Sequence, residues 1–148
     1  MTASASRLNA YTKVNVETAS QGKLVVMLFN GAIKRAEEAK RQLSRGKAET
    51  VHNNLIRAQD IIAELRSALD MKAHPVALDL DRLYEYFQHL LIQANVKKNA
   101  APIDECVRLM TEMRDTWEEA FASISKTEEI PAIQPINQHG AAVLNIQS

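Results

Sequence analysis

The chain has 148 residues, enough for one domain with a real core, and its Lys plus Arg equal its Asp plus Glu at 18 each. That balance removes the electrostatic case for nucleic acid or an anionic membrane as a partner. The single cysteine, Cys106, excludes an intrachain disulfide and a multi-cysteine zinc site, and fits a reducing compartment.

Residues 1–11 carry no apolar segment of the secretory type, and no apolar run approaches the ~20 residues that span a bilayer, so a soluble, cytoplasmic protein without membrane insertion is expected. Ala, Leu, Glu, Lys, Gln and Arg are abundant while Gly and Pro number only four each, which favours helix. Residues 1–17 read as a flexible leader in which Leu8 and Tyr11, three apart, can dock on one helical turn.

The first helix is expected over residues 19–44. Thr18 and Gln21 have the spacing of a capping box, with Ser20 as a competing cap, and Gly46 is a natural residue to end on. Leu24, Val25, Leu28, Phe29, Ala32, Ala36, Ala39 and Leu43 fall on one broad arc. Val26, Met27 and Ile33 fall outside it, an apolar surplus that asks for a second covering element.

The second helix is expected over residues 48–70, with Val51, Leu55, Ala58, Ile62, Leu65 and Leu69 as its core stripe and Ile56 and Ile61 beside it. Pro75 breaks the chain and suits the first turn of a third helix over residues 76–98. There Val76, Leu80, Leu83, Tyr84, Phe87, Leu90, Leu91 and Ala94 form the inner arc, and Leu78, Ile92 and Val96 lie opposite. The fourth helix, residues 102–125, has the stripe Ile103, Val107, Met110, Trp117, Phe121 and Ile124, flanked by Cys106 and Met113. Four helices of similar length with short connections predict an all-α, antiparallel up-down four-helix bundle over residues 18–125. Residues 126–148, with two prolines and a glycine, read as an extended or disordered tail ending in a short apolar piece, 141–146.

Catalytic and metal chemistry find little support. A ferritin-like site needs two Glu-x-x-His motifs, and only Glu49 to His52 matches; Glu85 and His89 are four apart. His89 is followed by an apolar run that disfavours a phosphoryl group, and His74 and His139 lie outside the helices. No Gly-rich phosphate loop or nucleophile motif is present. Cys106, Met27, Met71, Met110 and Met113 read as packing residues. Arg114 and Glu118 read as an i,i+4 pair, and Trp117 as a core residue whose indole N–H needs a partner. The expectation is a protein that is not an enzyme and holds neither metal nor cofactor.

The segment Met113-Arg114-Asp115-Thr116-Trp117-Glu118-Glu119-Ala120-Phe121 resembles the closing helix of the flagellar secretion chaperone family, FliS. Val16 to Ser20 with Gly22, Leu24, Met27, Leu28, Gly31 and Ala32 resembles that family's first helix. The stretch from Ala58 through Met71 is similar to its second, and Ala94 to Lys98 to the end of its third. The resemblance covers residues 8–125 in order. It implies a cytoplasmic bundle that binds the disordered C-terminal segment of flagellin, blocks premature polymerisation and delivers it to the flagellar type III export apparatus. It also implies an N-terminal segment able to cover part of the client site.

The off-core apolar residues agree with such a role, because helix-in-groove binding uses apolar ridges on a bundle's outside. The candidate binding residues are Leu8, Tyr11, Val26, Ile33, Ile56, Ile61, Leu78, Ile92 and Val96. A homo-oligomeric structural or adaptor bundle using the same ridges is the competing reading.

Overall fold

The computed structural model describes residues 14–73 and 75–124, with side chains over 21–73 and 75–123. It holds four helices: α1 (Val14–Ser44), α2 (Ala48–Ser67), α3 (Val76–Lys97) and α4 (Ala100–Ile124). Helix α1 starts at Val14, so Thr18 and Gln21 lie within it and do not open it as the capping box predicts. Ser and Thr within a helix cost only a few tenths of a kcal/mol, about the spread of ordinary propensities, so the box pattern does not force a start there. Helix α4 likewise starts two residues early, at Ala100, with the Asn99 Oδ1 accepting the Ala101 N–H at 3.0 Å.

The α1–α2 connection closes as the glycine requires. Gly46 has φ 71°, the Gly46 N–H donates to the Leu43 carbonyl and the Lys47 N–H to the Gln42 carbonyl, both at 3.1 Å. Those two bonds satisfy carbonyls that a helix end leaves bare. The α3–α4 connection makes the same reversal without glycine: Lys98 has φ 49°, and the Asn99 N–H donates to the Ala94 carbonyl.

Each helix packs on two neighbours, α1 on α2 and α4, and α3 on α2 and α4. Side-chain pairs fix the directions. Along α1 and α4, Gly22 lies against Phe121, Asn30 meets Arg114 and Lys40 meets Asp104, so the numbers run oppositely. Along α2 and α3, Arg66 meets Asp81, Gln59 meets Gln88 and His52 meets Asn95, again oppositely. The architecture is the antiparallel four-helix bundle that the helix count and short connections predict.

The core runs the length of the bundle. Phe29, Tyr84 and Phe87 pack ring on ring, with centroids 5.7 and 5.9 Å apart, and Trp117 stacks on Phe121 at 5.3 Å. The Trp117 indole N–H donates to the buried Tyr84 hydroxyl at 2.8 Å, so the one polar atom that the tryptophan carries inside is satisfied. Cys106 is fully buried in the core, 3.6 Å from the Phe87 carbonyl.

Several assignments of faces change. Ile33 is buried, 7% exposed, and belongs to the core. A bundle helix touches two neighbours, so its buried arc is wider than a two-sided wheel allows; Ile33, one turn after Phe29, falls on the α4 side of that arc. Val76 is exposed and Ala77 takes its inward place. Met27 and Met71 are exposed and fill no gap, whereas Met110 is fully buried and Met113 packs on the core. Arg114 pairs with Asp115 and Asn30, not with Glu118. Leu8, Tyr11 and the tail lie outside the described residues.

Candidate partner-binding surface

The seam between α2 and α3 is bridged by polar rungs. The Arg66 guanidinium donates to both carboxylate oxygens of Asp81, at 2.9 and 3.1 Å, and to Gln88 at 2.9 Å. The Gln88 amide in turn donates to the Gln59 carbonyl at 3.2 Å. Further along, the Asn95 amide and the His52 Nδ1 are 2.8 Å apart, and the Lys98 ammonium donates to the Asn95 side-chain oxygen at 2.6 Å. The hydrogen bond from Arg66 to Asp81 holds the guanidinium pKa above its ordinary value. These rungs lock the register of the two helices.

That register sets the apolar side chains outside the seam. Ile56 lies between His52 and Gln59, and Ile92 between Gln88 and Asn95, so the two isoleucines stand at the same level on facing helices. Val96, one turn beyond Ile92, is 77% exposed. Leu78, two heptads before Ile92 and therefore on the same face of α3, is also exposed. Leu78 and Val96 lie about 27 Å apart along α3 at ~1.5 Å per residue, with the exposed Arg82, Glu85 and His89 between Leu78 and the Ile92–Val96 pair. Each side chain covered by a partner is worth on the order of 1 kcal/mol at about 25 cal/mol per Å². Nothing in the core needs these residues.

The other predicted site residues separate from this group. Ile61 is half-buried and points to the opposite side of α2, where its Cδ1 would sit 3.4 Å from a Cβ at Gly31. Val26 is half-buried on α1. Ile33 is covered by the fold itself. The structure therefore brings Ile56, Leu78, Ile92 and Val96 onto one face, places Ile61 and Val26 elsewhere, and withdraws Ile33. Four exposed apolar residues lie outside the predicted set: Met27, Met71, Val76 and Tyr86. The signal for Met27 was present, since it lies two residues from both Val25 and Phe29 and so points away from both.

Glu64, on the outer face of α2 with Arg57 and Asp60, is the most perturbed carboxyl. Burial pushes it up to about 9, because loss of solvent disfavours the charged carboxylate. Burial likewise pushes the Cys106 thiol up to about 12, which keeps it protonated and a poor nucleophile. Among the described residues no group of three or more His, Cys, Asp and Glu is placed to hold a metal ion, and His52 of the half-motif is turned to Asn95. No described helix is long and apolar enough to cross a membrane.

A cleft of about 660 Å³ lies between the end of α1 and the start of α4. Its floor is Leu43, Ile103 and Val107, but the ion pair of Lys40 with Asp104, 2.6 Å, spans its mouth. On the α2–α3 side Ile56, Leu78, Ile92 and Val96 are exposed to solvent.

The family profile described as Flagellar protein FliS matches residues 4–124. The flagellar secretion chaperone FliS of Bacillus subtilis is 33% identical over 117 residues, 79% of this chain and 87% of that protein. The protein of the same name from Vibrio cholerae is 34% identical over 117 residues, 76% of this chain and 86% of its own. That from Salmonella typhimurium is 33% identical over 130 residues, 84% and 96% respectively.

Proposed function

This chain belongs to the flagellar protein FliS family, and from that premise we propose that it is a cytoplasmic export chaperone for flagellin. In this reading it has no catalytic activity of its own. It binds the disordered C-terminal segment of flagellin, keeps the subunit from polymerising early and presents it to the flagellar type III export apparatus. Residues 18–125 form the chaperone domain.

The observation that carries this reading is the strip of Ile56, Leu78, Ile92 and Val96, kept apolar on the outside of the bundle. A client helix laid along the α2–α3 seam covers it, with anchors at helical spacing meeting each apolar step. The hydrogen-bonded rungs beneath hold both walls in place before the client arrives, which lowers the ordering cost of binding. The client's own ordering is the main cost, and burial of apolar area offsets it.

Titration calorimetry with a flagellin C-terminal peptide tests the proposal. The expected result is a one-to-one complex with a negative heat-capacity change and a gain of helical circular dichroism in the peptide. A complex formed with no gain of helix contradicts helix-in-groove docking, and absence of binding contradicts the function.

A further inference from the structure

Met71 in the α2–α3 connection, Val76 at the first residue of α3 and Leu78 two residues on are all exposed. Ala73 and Pro75 beside them are exposed and apolar as well. Together they make an apolar end to the bundle, at the far end of α3 from Val96.

The last helix delivers the chain to this place. Trp117 of α4 meets Tyr84 of α3, and the two helices run oppositely, so each turn of α4 beyond Trp117 moves towards the start of α3. Helix α4 ends at Ile124, beside the α2–α3 connection. The 24 residues after it include no Asp, Glu, Lys or Arg from 130 to 148, and Val143, Leu144 and Ile146 put three apolar side chains into four positions. Residues 125–142 span up to ~60 Å at about 3.3 Å each, whereas packed helices are only ~10 Å apart.

Size decides between occupants. A stable interface with a separate molecule buries about 800 Å² on each partner, far more than three half-exposed side chains supply. A tethered segment needs much less, because its effective concentration is of millimolar order when the linker spans the gap. An uncharged segment also loses no charge hydration on docking.

We propose that residues 143–146 of this chain dock on Met71, Val76 and Leu78 and cover that end of the bundle. The docking does not depend on the export-chaperone reading. If that reading holds, Leu78 is shared, and the tail and a client compete for the same end of the strip.

The test uses the full chain with 13C-labelled methionine methyl groups, five in all. Leu144→Asp with Ile146→Asp is compared with the unsubstituted protein, and Leu144→Ser with Ile146→Ser replaces that pair if the charged version unfolds. Met110, fully buried, reports an intact core, and Met27, exposed on α1, reports an unrelated face. The expected result is a shift of the Met71 methyl alone, reversed by adding a synthetic peptide of residues 138–148. An unmoved Met71 signal overturns the proposal, as does movement of Met27 in its place. A Met71 signal in the unsubstituted protein that changes on dilution assigns the cover to a second copy and overturns it equally.

Discussion

The outer faces of α3 and α4 meet the same solvent with different chemistry: α4 carries charge, whereas α3 mixes apolar side chains with Arg82, Glu85 and His89. On α4 the outward positions are Arg108, Glu112, Asp115 and Glu119, all exposed, with Arg108 and Glu112 paired at 3.4 Å. On α3 three of the outward positions are Leu78, Ile92 and Val96. Both helices bury an equivalent inner stripe, so the core does not explain the difference. A helix whose only duty is to close a bundle carries charge outside. The outer side of α3 keeps apolar side chains at helical spacing, next to a seam fixed by hydrogen bonds. The difference separates the residues that make the fold from those that the proposed function assigns to a partner.

The largest effect that tests this separation comes from a matched pair of substitutions. Ile33→Asp places an unpaired charge among buried residues between α1 and α4, and is expected to cost at least about 3 kcal/mol and to abolish cooperative melting. Ile92→Asp makes the same chemical change on the outside and is expected to stay within about 0.5 kcal/mol of the parent. Thermal and urea melts of the two variants measure it. Equal loss of stability would merge the outer strip with the core and remove the contrast.

A smaller effect concerns how tightly the charged helix is held. A Cβ at Gly22 would lie 2.5 Å from the Phe121 ring, on α4, so Gly22→Ala must push α1 and α4 apart. The expected cost is about 1–3 kcal/mol. At Gly31 the nearest atom is the flexible end of Ile61, at 3.4 Å, and Gly31→Ala is expected to be neutral or to stabilise by up to ~1 kcal/mol through helix propensity. Urea denaturation of both proteins checks the order; a greater loss at Gly31 would misplace the close approach.

A further effect is a pH dependence at Glu64 on α2. Burial raises Glu64 from 4.5 to about 9, so the folded state favours the protonated carboxyl. The stability this contributes is complete below pH ~4.5, where the unfolded chain is protonated too, and falls as pH rises towards 9. Glu64→Gln removes the titration. It is expected to melt higher than the parent at pH 7–8 and to match it near pH 4; a difference that does not change with pH would contradict the assignment.

The sequence carried most of this architecture. Helix count, connections and inner stripes follow from 3.6-residue periodicity broken at Gly46 and before Pro75, while the α3–α4 break falls at Lys98 and Asn99 and not at Pro102, which lies inside α4; the indole of Trp117 found the partner its burial required. The exposure of Leu78, Ile92 and Val96, opposite the inner arc of α3, and of Ile56, beside the stripe of α2, was legible. What periodicity could not supply was the width of the buried arc. Ile33 sits at its edge, and only contact with a second neighbour, α4, decides that it is inside. Arg114 likewise has two acceptors within reach, and Asn30 on another helix is invisible to i,i+4 spacing. The rungs between α2 and α3 pair residues 15 or more apart, a register that depends on the length and path of the connection.

The central claim is that a flagellin segment binds the apolar face of α2 and α3 and leaves the charged face of α4 alone. One calorimetric titration series measures this: a flagellin C-terminal peptide into the parent protein, into Ile92→Asp with Val96→Asp, and into Glu112→Lys with Glu119→Lys. The account predicts at least about tenfold weaker binding, some 1.4 kcal/mol, for the α3 pair, and unchanged affinity for the α4 pair. Equal affinity for all three, or loss only in the α4 variant, would contradict it.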